Sequence, residues 1–236
     1  MRIRLNKLFF ILFTLIFLLV CNSCITSYSA EIDYEVYSSK YENTITKEKD
    51  TIVITPKEYS SGIIFYPGAY VDYDAYLPLM DEIASIGIQV YIVKMPLEIA
   101  LLDKNAASKI IKSHGNLSNW YVAGHSLGGA TAAMYAEKNY DKLTGLLLFA
   151  AYSIKNLTNS GLKVLTVYGD NDSVLNKDKY EENKVNLPSD YKEVIIKGGN
   201  HSQFGSYGFQ EGDTIATCTA EEQRNQTVNA IIDFIK

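Results

Sequence analysis

The chemistry this sequence can do is concentrated in five residues. Gly124-His125-Ser126-Leu127-Gly128 sets two glycines symmetrically about a serine. The run WYVA (residues 120–123) comes just before it and reads as a strand. A stretch rich in small residues, 126–138, follows it and reads as a helix. A serine on such a strand-to-helix turn has its hydroxyl raised clear of the sheet, and the turn is too tight for bulky neighbours, hence the glycines. The N–H of Leu127 then opens a helix, where unpaired amides and the helix dipole favour developing negative charge. The chemistry implied is attack of the Ser126 hydroxyl on a carbonyl, with Leu127 supplying an oxyanion amide. The five-residue pattern alone can arise by chance; its placement between strand and helix carries the argument. Gly129-Ala130 and Ala132-Ala133 suit a helix packed close on a sheet.

Other chemistries find little support. The three histidines, His114, His125 and His201, are too scattered for a metal-binding signature. The three cysteines are Cys21, Cys24 and Cys218, too few for a disulfide framework or a cysteine-rich zinc site. No metal and no cofactor is expected. Lys and Arg number 22 against 27 Asp and Glu, a net charge of -5, and Arg2, Arg4 and Lys7 all precede the first apolar run. The remaining body is therefore more acidic still, which argues against nucleic acid as a partner.

Residues 1–7 are basic and residues 8–20 apolar apart from Thr14. That is short for a membrane span and suits an export signal. Ser23-Cys24 fits the last two positions of a bacterial lipoprotein cleavage site, whereas Cys21 and Asn22 fit the upstream positions poorly. The expectation is a signal peptide or N-terminal membrane anchor over 1–23, a tether over 24–31 and one domain over 32–236. The protein is then exported and held at the cell surface or membrane, by the leader itself or by a lipid on Cys24.

The chain's 47% hydrophobic content is enough for a sizeable core, and 236 residues leave room for one domain and a leader. Eight strands are expected, at 32–37, 51–55, 62–66, 88–93, 120–123, 143–149, 162–168 and 191–196. Helices are expected at 76–86, 106–112, 126–138 and 219–235, the last opened by the capping box Thr219-x-x-Glu222. Continuous apolar strands separated by helices predict an α/β, doubly wound, mostly parallel sheet of about eight strands with helices on both faces. The first strands, with no helix between them, predict an antiparallel edge.

Taken together, FYPGAY, AGHSLGG, VYGDNDSV and GGNHSQFG resemble the α/β-hydrolase superfamily, and within it short, lidless, dienelactone-hydrolase-like bacterial members with a serine nucleophile. The likeness runs from about residue 52 to the C-terminus. It implies a triad in the chain order Ser, acid, His. The acid belongs after the strand 162–168, where Asp170 and Asp172 both stand; the superfamily's spacing from Gly169 selects Asp172. The base belongs after the last strand, where His201 follows two glycines. The second oxyanion amide belongs to the loop after GIIFY. A His-Gly pair is common there, but this chain has Pro67-Gly68-Ala69-Tyr70, so the donor is Ala69, with Tyr70 the alternative.

Only residues 150–161 separate two strands where lipid-binding relatives insert a cap, so an open site and a small-molecule, short-chain ester are expected. Tyr70, Phe204 and Tyr207 are the candidate pocket walls; for the two in the loop after His201, aromatic packing over the sheet edge is the competing reading. The same triad would serve a thioesterase, amidase or acyltransferase, and a fold of this kind can also be a non-catalytic surface-binding module.

Overall fold

The computed structural model describes residues 26–115 and 117–236. The expected leader over 1–23 and Cys24 lie outside the described residues. Among the described residues no helix is long and apolar enough to cross a membrane.

Eight strands form one sheet: β1 Thr44–Glu48, β2 Thr51–Thr55, β3 Ser61–Tyr66, β4 Ile88–Val93, β5 Asn119–His125, β6 Gly145–Phe149, β7 Lys163–Gly169 and β8 Lys192–Ile196. Their order is β1-β2-β4-β3-β5-β6-β7-β8, with the pairs β1–β2 and β2–β4 antiparallel and the remaining pairs parallel. Among the described residues five α-helices accompany them: α1 Leu77–Ala84, α2 Ala106–Ser113, α3 Leu127–Asn139, α4 Lys177–Asn183 and α5 Ala220–Ile235.

Strand alternation divides the core between the two faces. In β3, Ile63 and Phe65 join the layer holding α1 and α5, while Ile64 and Tyr66 join the layer holding α2 and α3. All four are buried, as a parallel strand covered on both faces requires. From β3 the chain runs to β4 on one side and then crosses to β5 on the other. The sheet order therefore reverses at β3, and a crevice opens between the loops that leave β3 and β5.

The strand count matches expectation, but its first member is a different segment. Residues 32–37 are a turn: Asp33 Oδ1 accepts the Glu35 N–H at 2.9 Å, and the Asp33 carbonyl accepts the Tyr37 N–H at 3.0 Å. That Asx turn overrides the apolar alternation. The edge strand is instead β1, TITKE, which is mostly exposed and has only Ile45 to signal it. Nor do residues 26–31 hang free as a tether. Tyr28 bridges Val71, donating its N–H to the Tyr70 carbonyl at 2.7 Å, and Glu31 donates to the Ser206 carbonyl at 2.8 Å.

Residues 37–43 are fastened to α1 through Asp81, a carboxylate with no exposed surface. It accepts hydrogen bonds from Tyr37 Oη at 3.0 Å, Ser39 Oγ at 2.7 Å and Asn43 Nδ2 at 2.8 Å. Asp81→Ala would strand three donors at once. The expected result is a loss of about 3 kcal/mol of stability in urea unfolding, the scale of hydrogen bonds to a charged group. A change under about 0.5 kcal/mol, the range of an ordinary surface substitution, would contradict this reading of Asp81.

Candidate active site

At the end of β5 the backbone of Ser126 takes φ 53° and ψ -124°, a conformation that non-glycine residues rarely hold. Its N–H donates to the Phe149 carbonyl of β6 at 2.9 Å, which pins the turn to the sheet. The two flanking glycines answer to close approach. A Cβ on Gly124 would stand 2.5 Å from the Gly128 carbonyl carbon, and one on Gly128 would stand 2.1 Å from the Tyr66 carbonyl oxygen. The spacing read from the sequence therefore lets β3, β5 and α3 meet with no side chain between them. Ser126 is half-buried and lines a cleft of about 320 Å³.

The loops after β7 and β8 supply an acid and an imidazole. His201 Nδ1 lies 2.8 Å from Asp172 Oδ2, and both residues are buried. The other oxygen of Asp172 accepts the N–H groups of Val174 at 2.9 Å and Leu175 at 2.8 Å, which fixes the carboxylate in its loop. With a carboxylate as its partner, Nδ1 carries the proton of a neutral imidazole, and the free lone pair is on Nε2. Among the described residues this buried Nε2 has no hydrogen-bond partner, Ser126 included. Such contacts are often long until substrate binds.

Asp170 does something else. Its Oδ1 accepts the Gly198 N–H at 2.7 Å, strapping the β7 loop to the β8 loop. The His201 loop is held from behind by Gln223 of α5, wholly buried, which accepts the Asn200 N–H at 3.0 Å and donates to the Asn200 carbonyl at 2.9 Å. Nothing in the sequence marked Gln223, since a single glutamine in a helix carries no motif.

In the loop after β3, two of three successive amides are occupied. The Gly68 N–H donates to Tyr76 Oη at 3.0 Å, and the Tyr70 N–H donates to the Glu98 carbonyl at 2.9 Å. Among the described residues no acceptor sits on the Ala69 N–H between them, and Ala69 lines the cleft with Ser126. Leu127 opens α3, where first-turn amides have no partner inside the helix.

Tyr76 Oη, which accepts from Gly68, also pairs with His125 Nδ1 at 2.9 Å. The His125 ring lies 4.5 Å from that of His201, and among the described residues its buried Nε2 has no hydrogen-bond partner. Burial first, and then the neighbouring His201, holds the His125 pKa well below the ordinary 6.5. The sign follows directly. On acidification below about 6.5 the unfolded chain takes up a proton at His125 and the folded chain does not, so stability falls by up to about 1.4 kcal/mol per pH unit. Urea unfolding at pH 7.5 and 5.5 should show this loss, reduced in His125→Gln. Equal losses in the two proteins would contradict it.

Of the three candidate wall residues, only Tyr70 lines the cleft. Phe204 is a core residue, 1% exposed, stacked on Phe149 with ring centroids 5.7 Å apart. Tyr207 is buried too; its ring lies 5.5 Å from that of Tyr28 and its hydroxyl donates to Gln210 Oε1 at 3.1 Å. Burial of two large rings beneath the cleft floor outweighs their display in it. Among the walls that sequence reasoning missed are Thr26, Tyr28, Val71 and Gln210. Tyr28 is brought in by a single-residue bridge, which leaves no periodicity to read. A larger cavity, about 600 Å³, opens between the β1–β2 turn and α2 and contains none of the triad candidates. Among the described residues no group of three or more His, Cys, Asp or Glu is arranged to hold a metal ion.

A family model described as the alpha/beta hydrolase family matches residues 62–225. Among solved structures, a predicted CIB-like hydrolase from Thermoplasma acidophilum is similar with a TM-score of 0.57 and 18% identity, over 81% of this chain and 98% of that one. TT1662 from Thermus thermophilus has a TM-score of 0.60 at 12% identity, over 82% and 98%. MGS-MChE2, an alpha/beta hydrolase enzyme from the metagenome of lagoon sediments of Mar Chica, Morocco, has a TM-score of 0.54 at 16% identity, over 68% and 90%. At these identities the likeness is one of fold. No curated protein matches the chain in sequence.

Proposed function

Because the chain belongs to the alpha/beta hydrolase family, we propose that it is a serine hydrolase, of the short, lidless, dienelactone-hydrolase-like kind, that cleaves a carboxylic ester through an acyl-enzyme. The observation that carries this is the buried pairing of His201 Nδ1 with Asp172 at 2.8 Å, which leaves a lone pair on Nε2. In the reaction Ser126 Oγ attacks the ester carbonyl while His201 Nε2 takes its proton. Asp172 keeps the imidazole in the right tautomer and stabilises the imidazolium. The amides of Leu127 and Ala69 receive the oxyanion, each contributing about 3 kcal/mol on the scale of known sites. His201 then returns the proton to the departing alkoxide. Water, deprotonated by the same nitrogen, attacks the acyl-enzyme, and the adduct collapses to the acid as His201 returns that proton to Ser126 Oγ.

A short acyl chain fits the cleft of about 320 Å³, and no helix is inserted between β6 and β7 to form a cap. The proposal extends to location: residues 1–23 act as an export signal or anchor, and the domain over 32–236 is held at the membrane by that segment or by a lipid on Cys24. The test is hydrolysis of p-nitrophenyl esters of increasing chain length. Turnover should be greatest for acetate to butyrate. No turnover of any ester would contradict the reading, and so would a preference for long chains.

A further inference from the structure

The carboxyl edge of the sheet, where the cleft opens, displays apolar side chains that nothing among the described residues covers. Leu97, Leu101 and Leu102, in the segment after β4, are 80%, 43% and 56% exposed. Ile154, Phe209 and Ile215, on the loops after β6 and β8, are exposed at the same edge. Large exposed side chains distributed along one edge, three of them within six residues, mark a surface that meets something. Leu97 is shown against backbone preference, since it and Glu98 take φ of 51° and 57° in succession. Two bonds keep that turn in place. The Glu98 carbonyl accepts the Tyr70 N–H at 2.9 Å, and its carboxylate accepts the Ser27 hydroxyl at 2.7 Å. The leucine turn is therefore fastened both to the loop that lines the cleft and to the first described residues of the chain.

Those first residues say what the surface meets. Thr26 itself lines the cleft beside Ser126. The apolar run over 8–20 ends six residues earlier, a span of at most about 20 Å even when fully extended. A lipid on Cys24 would sit closer still. The described chain thus begins at the cleft mouth, on the same edge as the leucines, and at most about 20 Å of chain separates it from the apolar run.

We propose that the leucine-bearing rim docks on the lipid bilayer that holds the N-terminal segment, so that the cleft takes amphiphilic esters of short acyl chains from the membrane interface. This rests on the membrane attachment proposed above and deepens the reading of the substrate. An anchored domain could otherwise present any face to the membrane; a short tether at the cleft mouth and an apolar rim beside it select one.

Orientation can be read without catalysis. The chain has a single tryptophan, Trp120, which is 3% exposed at the opposite edge of the sheet. In full-length protein held on phosphatidylcholine vesicles with brominated acyl chains, Leu97→Trp and Leu101→Trp should lose at least about half their added fluorescence to quenching, as interfacial burial requires. Tyr140→Trp, at the far end of α3, should lose none. Equal quenching at both edges would overturn the proposal, as would none at Leu97→Trp. A blue-shifted Leu97→Trp in the absence of vesicles would also overturn it, naming the chain's own apolar run or a second copy as the occupant. Failure to float with vesicles would overturn the attachment reading and this proposal together, whereas failure to hydrolyse any ester leaves the quenching result intact. For the substrate claim, Leu97→Ser/Leu101→Ser/Leu102→Ser should keep hydrolysis of a water-soluble ester within about twofold. It should lose about tenfold or more on an ester dissolved in the vesicles. Equal effects on both substrates would overturn that claim.

Discussion

Ser126→Ala should reduce kcat for a p-nitrophenyl ester about 10⁶-fold, the scale on which removing the nucleophile acts in well-studied serine hydrolases. The expectation rests on position: Ser126 stands on the strained turn at the head of α3 and lines the cleft. Alanine is no larger than serine, and the turn is held by the Ser126 N–H and the flanking glycines rather than by the hydroxyl. The variant should therefore unfold at the same urea concentration as the parent. His201→Ala should cost about as much, and the double variant no more than either alone, because groups that act as one unit are not additive. Costs that simply multiply would mean that the two residues work independently, contrary to the mechanism.

Asp172→Asn should lower kcat about 10⁴-fold with little change in stability, as the same exchange does in the known serine-protease case. The geometry says why. Oδ1 of the carboxylate accepts two backbone N–H groups, and an asparagine oxygen would continue to do so. The amide NH₂ would then face His201 Nδ1 and donate to it. The imidazole proton would move to Nε2, the nitrogen that must accept the Ser126 proton. Asp170→Asn is the control. An asparagine oxygen can still accept the Gly198 N–H, so activity should stay within about threefold. A reversal of the two effects would make Asp170 the acid.

The sheet was legible where strands are buried on both faces. GIIFY, IQVYIV and GLLLF are runs that only a covered parallel sheet accommodates, and all became strands. The capping box at Thr219 likewise marked the start of α5 to the residue. Legibility failed at the edges. TITKE has too little apolar content to announce a strand, while residues 32–37 alternate well enough but are turned by the Asp33 side chain. In the site, glycine spacing placed Ser126 because close backbone approach leaves a mark in the sequence. The supporting contacts leave none: Tyr76 on the Gly68 amide and Gln223 behind His201 are ordinary residues made important by where the fold puts them. Phe204 and Tyr207 show the reverse error, in which aromatic residues on a loop near the site are read as its walls and prove to be its foundation.

The most direct test of the central claim is covalent. Full-length protein treated with a fluorophosphonate should gain the mass of one phosphonyl group, and peptide mapping should put that group on Ser126. Ser126→Ala should remain unlabelled, and prior incubation with a short-chain ester should slow labelling of the parent. Modification at any other residue, or a folded parent that the probe leaves untouched, would contradict the account.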